Sequence, residues 1–280
     1  MSHPGALIAP FVVVIHGKSL LRNQEDWKPL TVVLVTFCGV IFPFLFSLPA
    51  WAWVPYWIAL LMLRSVVPIA QHYQAHLAIF CHSTLNFAYD TVLAQLTGYT
   101  TPGWELQHNR GHHRHFLEPA KDVAGTVDPS TGETVGLWRF VIRGCLRTMP
   151  DVLVIARGEA DAGYWFRRLA LHLGVQLLIT ALAFHRSPIL AISFLVIPSL
   201  LMQALTWWAS YWQHAGAPST SIYSGAMTNL NTWNNRLTFN MGHHTAHHER
   251  PTLHWSRLPS RTRVILSRIP AACIRGEEVA

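Results

Sequence analysis

The chain has 280 residues and a net charge of +7, with 51% hydrophobic residues against 12% charged ones. That is too apolar for an ordinary soluble domain and places the chain among membrane proteins. The positive balance calls for no nucleic acid, since a basic cap facing anionic lipid accounts for it. The cysteines Cys38, Cys81, Cys145 and Cys273 show no paired spacing, which argues against a disulfide framework or a zinc ribbon.

From the N-terminus, residues 6–15 form a short apolar run with no basic region before it, so no cleavable signal pattern is read, and the run is expected in the membrane interface. Residues 31–63 contain no Asp, Glu, Lys, Arg or His. As one helix that stretch would be about 50 Å long, against a hydrocarbon core of roughly 30 Å. Pro43, Pro49 and Pro55 with Trp51 and Trp53 predict a hairpin bend at 47–53, where indoles favour the interface. Spans are expected near 30–48 and 53–70.

The second span runs straight into His72-Tyr-Gln-Ala-His76, whose histidines share one helix face. His82 lies off that face and reads as a surface residue. Residues 77–96 are apolar with polar interruptions, and a helix lying on the interface is expected there. Thr100-Thr101-Pro102-Gly103 reads as a turn. A helix then carries His108-Asn-Arg-Gly-His112-His113-Arg-His115, in which His108 and His112 are expected to point the same way. Glu105, three residues earlier, is a candidate to orient a ligand, or else an ordinary helix N-terminal acid. The acids of the loops 118–122 and 128–136 read as solvated groups first, with the orienting of a ligand as the alternative.

Residues 137–168 mix Arg with apolar residues, as a segment on the membrane surface would. Two further spans are expected near 169–185 and 189–211, joined at His185-Arg186-Ser187-Pro188; His172, alone within the third, reads as structural. The fourth ends at His214, level with His76, so His214 is a candidate ninth ligand. The last cluster is His243-His244-Thr-Ala-His247-His248, preceded by Asn240, a helix cap or a residue orienting a ligand.

The expected architecture is therefore all-α and membrane-integral, a single domain over 1–280 with four transmembrane helices in two hairpins under a histidine-rich helical cap. Three Lys or Arg residues precede the first span, Arg64 lies near the end of the second, nine lie between Arg110 and Arg168, and seven follow His214. Only Arg186 falls on the other side, which predicts both termini and the cap in the cytoplasm. Neutral imidazole suits zinc, copper, iron and nickel. A single zinc takes only about four ligands, so eight aligned histidines fit two adjacent ions better than one.

The motifs resemble those of the membrane fatty acid desaturase and hydroxylase superfamily. His72-x3-His76 with Leu85-Asn86 is similar to its first histidine box, Trp104-x3-His108-x3-His112-His113 to its second, and Asn240-Met-Gly-His-His244-Thr-Ala-His247-His248-x2-Pro251 with Trp255 to its third. The resemblance implies a non-haem di-iron centre held by His72, His76, His108, His112, His113, His244, His247 and His248, with His214 as the counterpart of a further ligand. His243 in place of His244 is an open choice, and His115 stands outside the boxes. Tyr73 stands where many desaturases have Asp, and the three-residue spacing of the central box looks more like that of alkane hydroxylases.

An unactivated C–H bond needs an oxidant that no side chain provides, so two iron ions and molecular oxygen are implied. The expected activity is that of an oxygen-dependent oxidoreductase on a lipid chain, a fatty acyl desaturase first. A hydroxylase, ketolase or oxidative decarboxylase of an alkyl or isoprenoid chain is the alternative. From another class, a membrane zinc hydrolase would also use histidines, but no His-Glu-x-x-His is present. With no cysteine box for iron–sulfur and no dinucleotide glycine fingerprint, an external electron donor of ferredoxin, rubredoxin or cytochrome type is implied, docking on the Arg-rich face.

Overall fold

The computed structural model describes residues 14–15 and 18–276; most of the apolar run 6–15, expected in the interface, lies outside them. A short antiparallel pair, β1 (Val14–Ile15) and β2 (Lys18–Ser19), precedes the helices. α1 (Trp27–Leu45) follows, and the chain straightens at Phe46 and Pro49 before α2 (Trp53–Arg64). Pro49 has an extended backbone, φ −62° and ψ 147°, so the predicted bend falls where proline disfavours helix. α3 (Val67–His76) continues the direction of α2 after a one-turn adjustment at Ser65 and Val66, with Pro68 in its first turn, where a missing N–H costs nothing.

α4 (Ser83–Thr97) and α5 (Thr101–Trp104) come next, and α5 runs into a π-helical segment, Glu105–His112. Beyond the loop, α6 (Leu137–Gly158) and α7 (Ala162–Arg186) lead to α8 (Pro188–Ala191), a π turn at Ile192–Val196 and α9 (Ile197–His214). The second hairpin turns at Ser187, whose hydroxyl accepts from Leu190 N–H at 3.4 Å ahead of Pro188. The C-terminal part holds β3 (Thr228–Asn229), α10 (Thr232–Leu237), α11 (His244–Glu249), α12 (Leu258–Ile265) and β4 (Ile274–Arg275).

Among the described residues four helical stretches are long and apolar enough to cross a membrane: Gln24–Leu45, Ala50–His76, Ala162–Arg186 and Pro188–His214. A helix satisfies its backbone hydrogen bonds internally, which is what lipid demands. The predicted spans thus stand as two hairpins, and the second and fourth stretches carry His72, His76 and His214 in their last turns. Outward faces remain apolar, as at Leu45, Met62, Leu182 and Leu200.

Three expectations change. α4 does not lie apart on an interface: it is wedged among α1, α3, α7 and α9, with Leu93, Leu96 and Thr97 fully buried. Residues 100–103 begin a helix instead of making a turn, since the Thr100 hydroxyl accepts from Gly103 N–H at 3.2 Å and Pro102 sits in the first turn. Arg64, counted among the charges that set the orientation, does not reach the surface; it is 1% exposed inside the bundle. The amphipathic reading of 137–168 resolves into α6, which buries Phe140, Gly144 and Val152 and exposes Trp138, Ile142 and Leu146. At Gly144 a Cβ would lie 2.2 Å from the Trp207 indole, so the absence of a side chain lets α6 and α9 meet.

Candidate metal centre

Helix ends converge here from every part of the chain. α3 brings His72 and His76, the π segment His108 and His112, the following turn His113, α9 His214, and α11 His244, His247 and His248. Ring nitrogens of His72, His76, His108, His113 and His247 gather within 4.8 Å of one another, and so do those of His112, His214 and His248. His244 adjoins the second group, its Nε2 being 3.2 Å from those of both His214 and His248. Two groups of histidines able to bind metal therefore lie side by side, divided differently from the sequence clusters.

The π segment explains the division. With hydrogen bonds closing at i+5, residues five apart share a face. His113 Nε2 accordingly lies 3.0 Å from His108 Nε2, while His112 turns toward His214 and His248. The expectation that His108 and His112 point together, sound for a regular α-helix, fails for this reason. Gly111 lets α6 pack close to the same segment, since a Cβ there would sit 2.7 Å from Ile155 Cδ1. In α11 the opposite holds: His244 and His248 do meet at i, i+4, and His247 faces across to His72, Nε2 to Nε2 at 2.8 Å.

The arrangement fits ions. A metal–nitrogen bond of about 2.0–2.1 Å places neighbouring ligand nitrogens roughly 3 Å apart, and the Nε2 contacts here run 2.8, 3.0, 3.1 and 3.2 Å. His76 Nε2 and His112 Nε2 are buried with no hydrogen-bond partner among the described residues. An unpaired buried polar nitrogen costs free energy unless something fills its lone pair. Burial first, and then neighbouring imidazoles, hold His108, His244 and His248 well below the ordinary histidine range. The same causes act on His113 and His247. Neutral imidazole is the form that binds metal.

Outer partners fix several rings. His112 Nδ1 donates to Asp122 Oδ1 at 2.7 Å, and His214 Nδ1 to the Gly225 carbonyl at 3.2 Å, so both Nε2 atoms point inward. Asp122 is thus no solvated loop acid: its side chain is only 7% exposed, and it also accepts from Ala124 N–H at 2.8 Å. Nothing in the ten-residue spacing from His112 announces this. Glu105, by contrast, faces Arg168 in a two-pronged pair, Oε1 to Nη2 at 2.6 Å, and touches no histidine. Asn240 neither caps α11 nor holds a ring. It adopts a left-handed backbone, φ +62°, accepts from His243 N–H at 3.1 Å, and gives its amide to the Trp255 carbonyl at 3.2 Å, turning the chain into the cluster.

The remaining histidines stand apart. His243 Nδ1 lies 3.0 Å from Thr262 Oγ1, so of the two adjacent candidates it is His244 that joins the group; burial lowers His243 to about 4. His82 is exposed, His115 lies beside Glu118, and His172 packs against Phe87 within the third span. His254, which sequence reasoning passed over, pairs with Asp26 at 2.9 Å, and Trp255 Nε1 bonds the same carboxylate, tying the start of α1 to the C-terminal part. Asp90 on α4 accepts from Gln74 at 2.9 Å, steadying the turn between His72 and His76, and burial pushes its carboxyl up to about 6.

Two aromatic rings close the nest: Trp104 stacks on His108 with centroids 5.3 Å apart, and Phe116 on His248 at 3.9 Å. Beside it lies a cavity of about 440 Å³ that reaches His72, His108, His112 and His244. Its walls are mainly apolar, from Pro68 and Ile69 of α3, Leu205 and Trp207 of α9, and Met227 and Met241.

Residues 49–275 match the family model described as fatty acid desaturase. Among curated proteins, none matches the chain.

Proposed function

This chain belongs to the fatty acid desaturase family, and from that premise we propose that it is an oxygen-dependent, non-haem di-iron oxidoreductase that acts on an unactivated C–H bond of a lipid chain, as a fatty acyl desaturase. The observation that carries the reading is the pair of adjoining histidine groups, with nitrogens spaced as ligands of one ion are, opening onto an apolar cavity.

In this proposal His72, His76, His108, His113 and His247 hold one iron, and His112, His214, His244 and His248 the other. Bound there, two irons would supply the redox chemistry with dioxygen that removing hydrogen from a methylene requires and that side chains cannot provide. The protein's part is placement. Asp122 and the Gly225 carbonyl hold His112 and His214 in the tautomer that presents Nε2 inward. Phe116 and Trp104 cover the rings and keep water from them. The cavity walls lay an alkyl chain alongside the nest; burial of its methylenes, each favourable by about 0.8 kcal/mol, holds it there. Loss of a second hydrogen from the neighbouring carbon yields an alkene, and capture of oxygen yields an alcohol. The His108-x3-His112 spacing favours hydroxylation as the second reading.

The electron donor in this reading is a separate protein of ferredoxin, rubredoxin or cytochrome type, recognised by the arginines of the cytoplasmic cap. A tag at the C-terminus should then be accessible from the cytoplasm, and access only from the opposite side would overturn the orientation. The central test is metal analysis of protein purified from iron-supplemented cells, with lipid profiling. About two irons per chain, oxygen consumption and a new alkene support desaturation, and a new alcohol the second reading. Zinc alone, retained after reconstitution with ferrous iron and without oxygen consumption, would point to a hydrolase.

A further inference from the structure

The cavity that reaches the histidines also has a wall of different chemistry. There β3 and β4 pair in parallel with Asn229 opposite Arg275, and Leu230 N–H donates to the Arg275 carbonyl at 2.8 Å. Gly276 follows at φ +68°, where a Cβ would sit 2.9 Å from Asn229 Oδ1, so glycine permits this close seating. The pairing fixes both Asn229 and Arg275 in the cavity wall, next to Trp212. The Arg275 guanidinium lies over the Trp212 ring, 5.7 Å from its centroid, and its hydrogen bond is to the Trp212 carbonyl at 3.5 Å.

Three other arginines of the chain are paired. Arg114, Arg168 and Arg261 each take a carboxylate, from Glu159, Glu105 and Glu249. Among the described residues none of the ion pairs within 4.0 Å involves Arg275, and no Asp or Glu lines the cavity. Asn229 Oδ1 already accepts from Asn231 N–H at 3.0 Å, which leaves its amide nitrogen to donate. The cavity lining therefore combines a positive charge and an amide donor with the imidazoles. The partly exposed indoles of Trp208 and Trp212 make the wall beside Arg275 amphipathic ground, where a polar head and an apolar tail part company. A planar guanidinium with an amide beside it matches a group that has only acceptor oxygens.

Resting on the lipid reading above, we infer that Arg275, with Asn229, recognises the anionic head group of an amphipathic substrate, a carboxylate or a phosphate, whose chain runs through the cavity toward the histidines.

The test is ligand binding to the full-length, metal-loaded protein in neutral detergent without oxygen, so that nothing turns over. Three ligands of equal chain length are compared: a free fatty acid, a lysophosphatidate and a fatty acid methyl ester, each brominated along its chain to quench tryptophan fluorescence. The acid or the phosphate should bind about tenfold tighter than the ester, the order of one charge-assisted hydrogen bond. Arg275→Gln should remove that advantage and leave ester affinity unchanged, while Arg275→Lys should keep most of it. Whichever anion gains more identifies the source of the head group. Equal affinities for all three ligands, an advantage that survives Arg275→Gln, or equal weakening of all three by that substitution would each overturn the assignment while leaving the lipid reading intact. Failure of the unaltered protein to bind any of the chains would overturn the lipid reading, and the assignment with it.

Discussion

Arg64 and the nine clustered histidines both bring basic nitrogen atoms into the interior, yet only Arg64 finds all its partners in the protein. Its guanidinium donates to the Leu96 carbonyl, to Phe194 O at 2.7 Å, to Gln95 O at 3.0 Å and to Ser199 Oγ at 3.1 Å. These acceptors have a common origin. Gln95 and Leu96 lie in the last turn of α4, whose carbonyls have no intrahelical donors, and Phe194 lies in the π turn before α9, where the i+4 ladder is interrupted. Arg64 satisfies helix ends that would otherwise be bare. The histidine nest is built the other way, with nitrogens turned on one another at ligand spacing and His76 Nε2 and His112 Nε2 unmatched. A closed polar network stabilises a fold, whereas one left open at its centre is arranged for something that is not protein.

The comparison breaks most visibly if the nest is structural. His247→Ala and His112→Ala should each abolish turnover and lower bound iron while the protein still purifies as a folded species; full activity or unchanged iron in either variant would refute the ligand roles. Arg64→Met should do the reverse. With several carbonyls stranded inside the bundle, stability should fall by about 3 kcal/mol, read as a lower Tm, while whatever protein remains folded keeps its iron. Iron loss without a change in Tm would mean that the two regions are not separate.

Acid sharpens the contrast by a smaller amount. Burial holds His108, His113, His244, His247 and His248 below their ordinary value of 6.5, so between the folded and unfolded pKa values the unfolded chain binds more protons. Their contribution is complete above 6.5 and is lost as the pH falls below it. Metal-free protein should therefore melt at progressively lower temperature from about pH 7 to pH 5. A flat Tm would show that these rings are solvated. The smallest effect is expected at His82, exposed and remote from both groups. His82→Ala should leave turnover nearly intact, and an inactive variant would mean that the first cluster extends further than its geometry indicates.

Several features missed in the sequence share one cause. Arg168 meets Glu105 across 63 positions, and Arg64 meets Phe194 across 130. His254 meets Asp26 across 228. Periodicity reports which residues share a helix face; it does not report which faces meet. The pairing of His112 with Asp122 is close in sequence yet depends on a loop folding back, and the choice of His108 with His113 depends on a π register that residue types do not announce.

By itself the sequence determined the four apolar spans, their two hairpins and the identity of the histidines, because lipid imposes a length on helices and because clustered imidazole at helical spacing has few other uses. Only the tertiary structure decided how the nine rings divide into two groups, that Asp122 and not Glu105 steadies one of them, that His244 and not His243 takes part, and that a cavity joins the nest to Arg275. Each of these depends on atoms from separate elements arriving within a few ångströms of one another, and packing is what sets those distances.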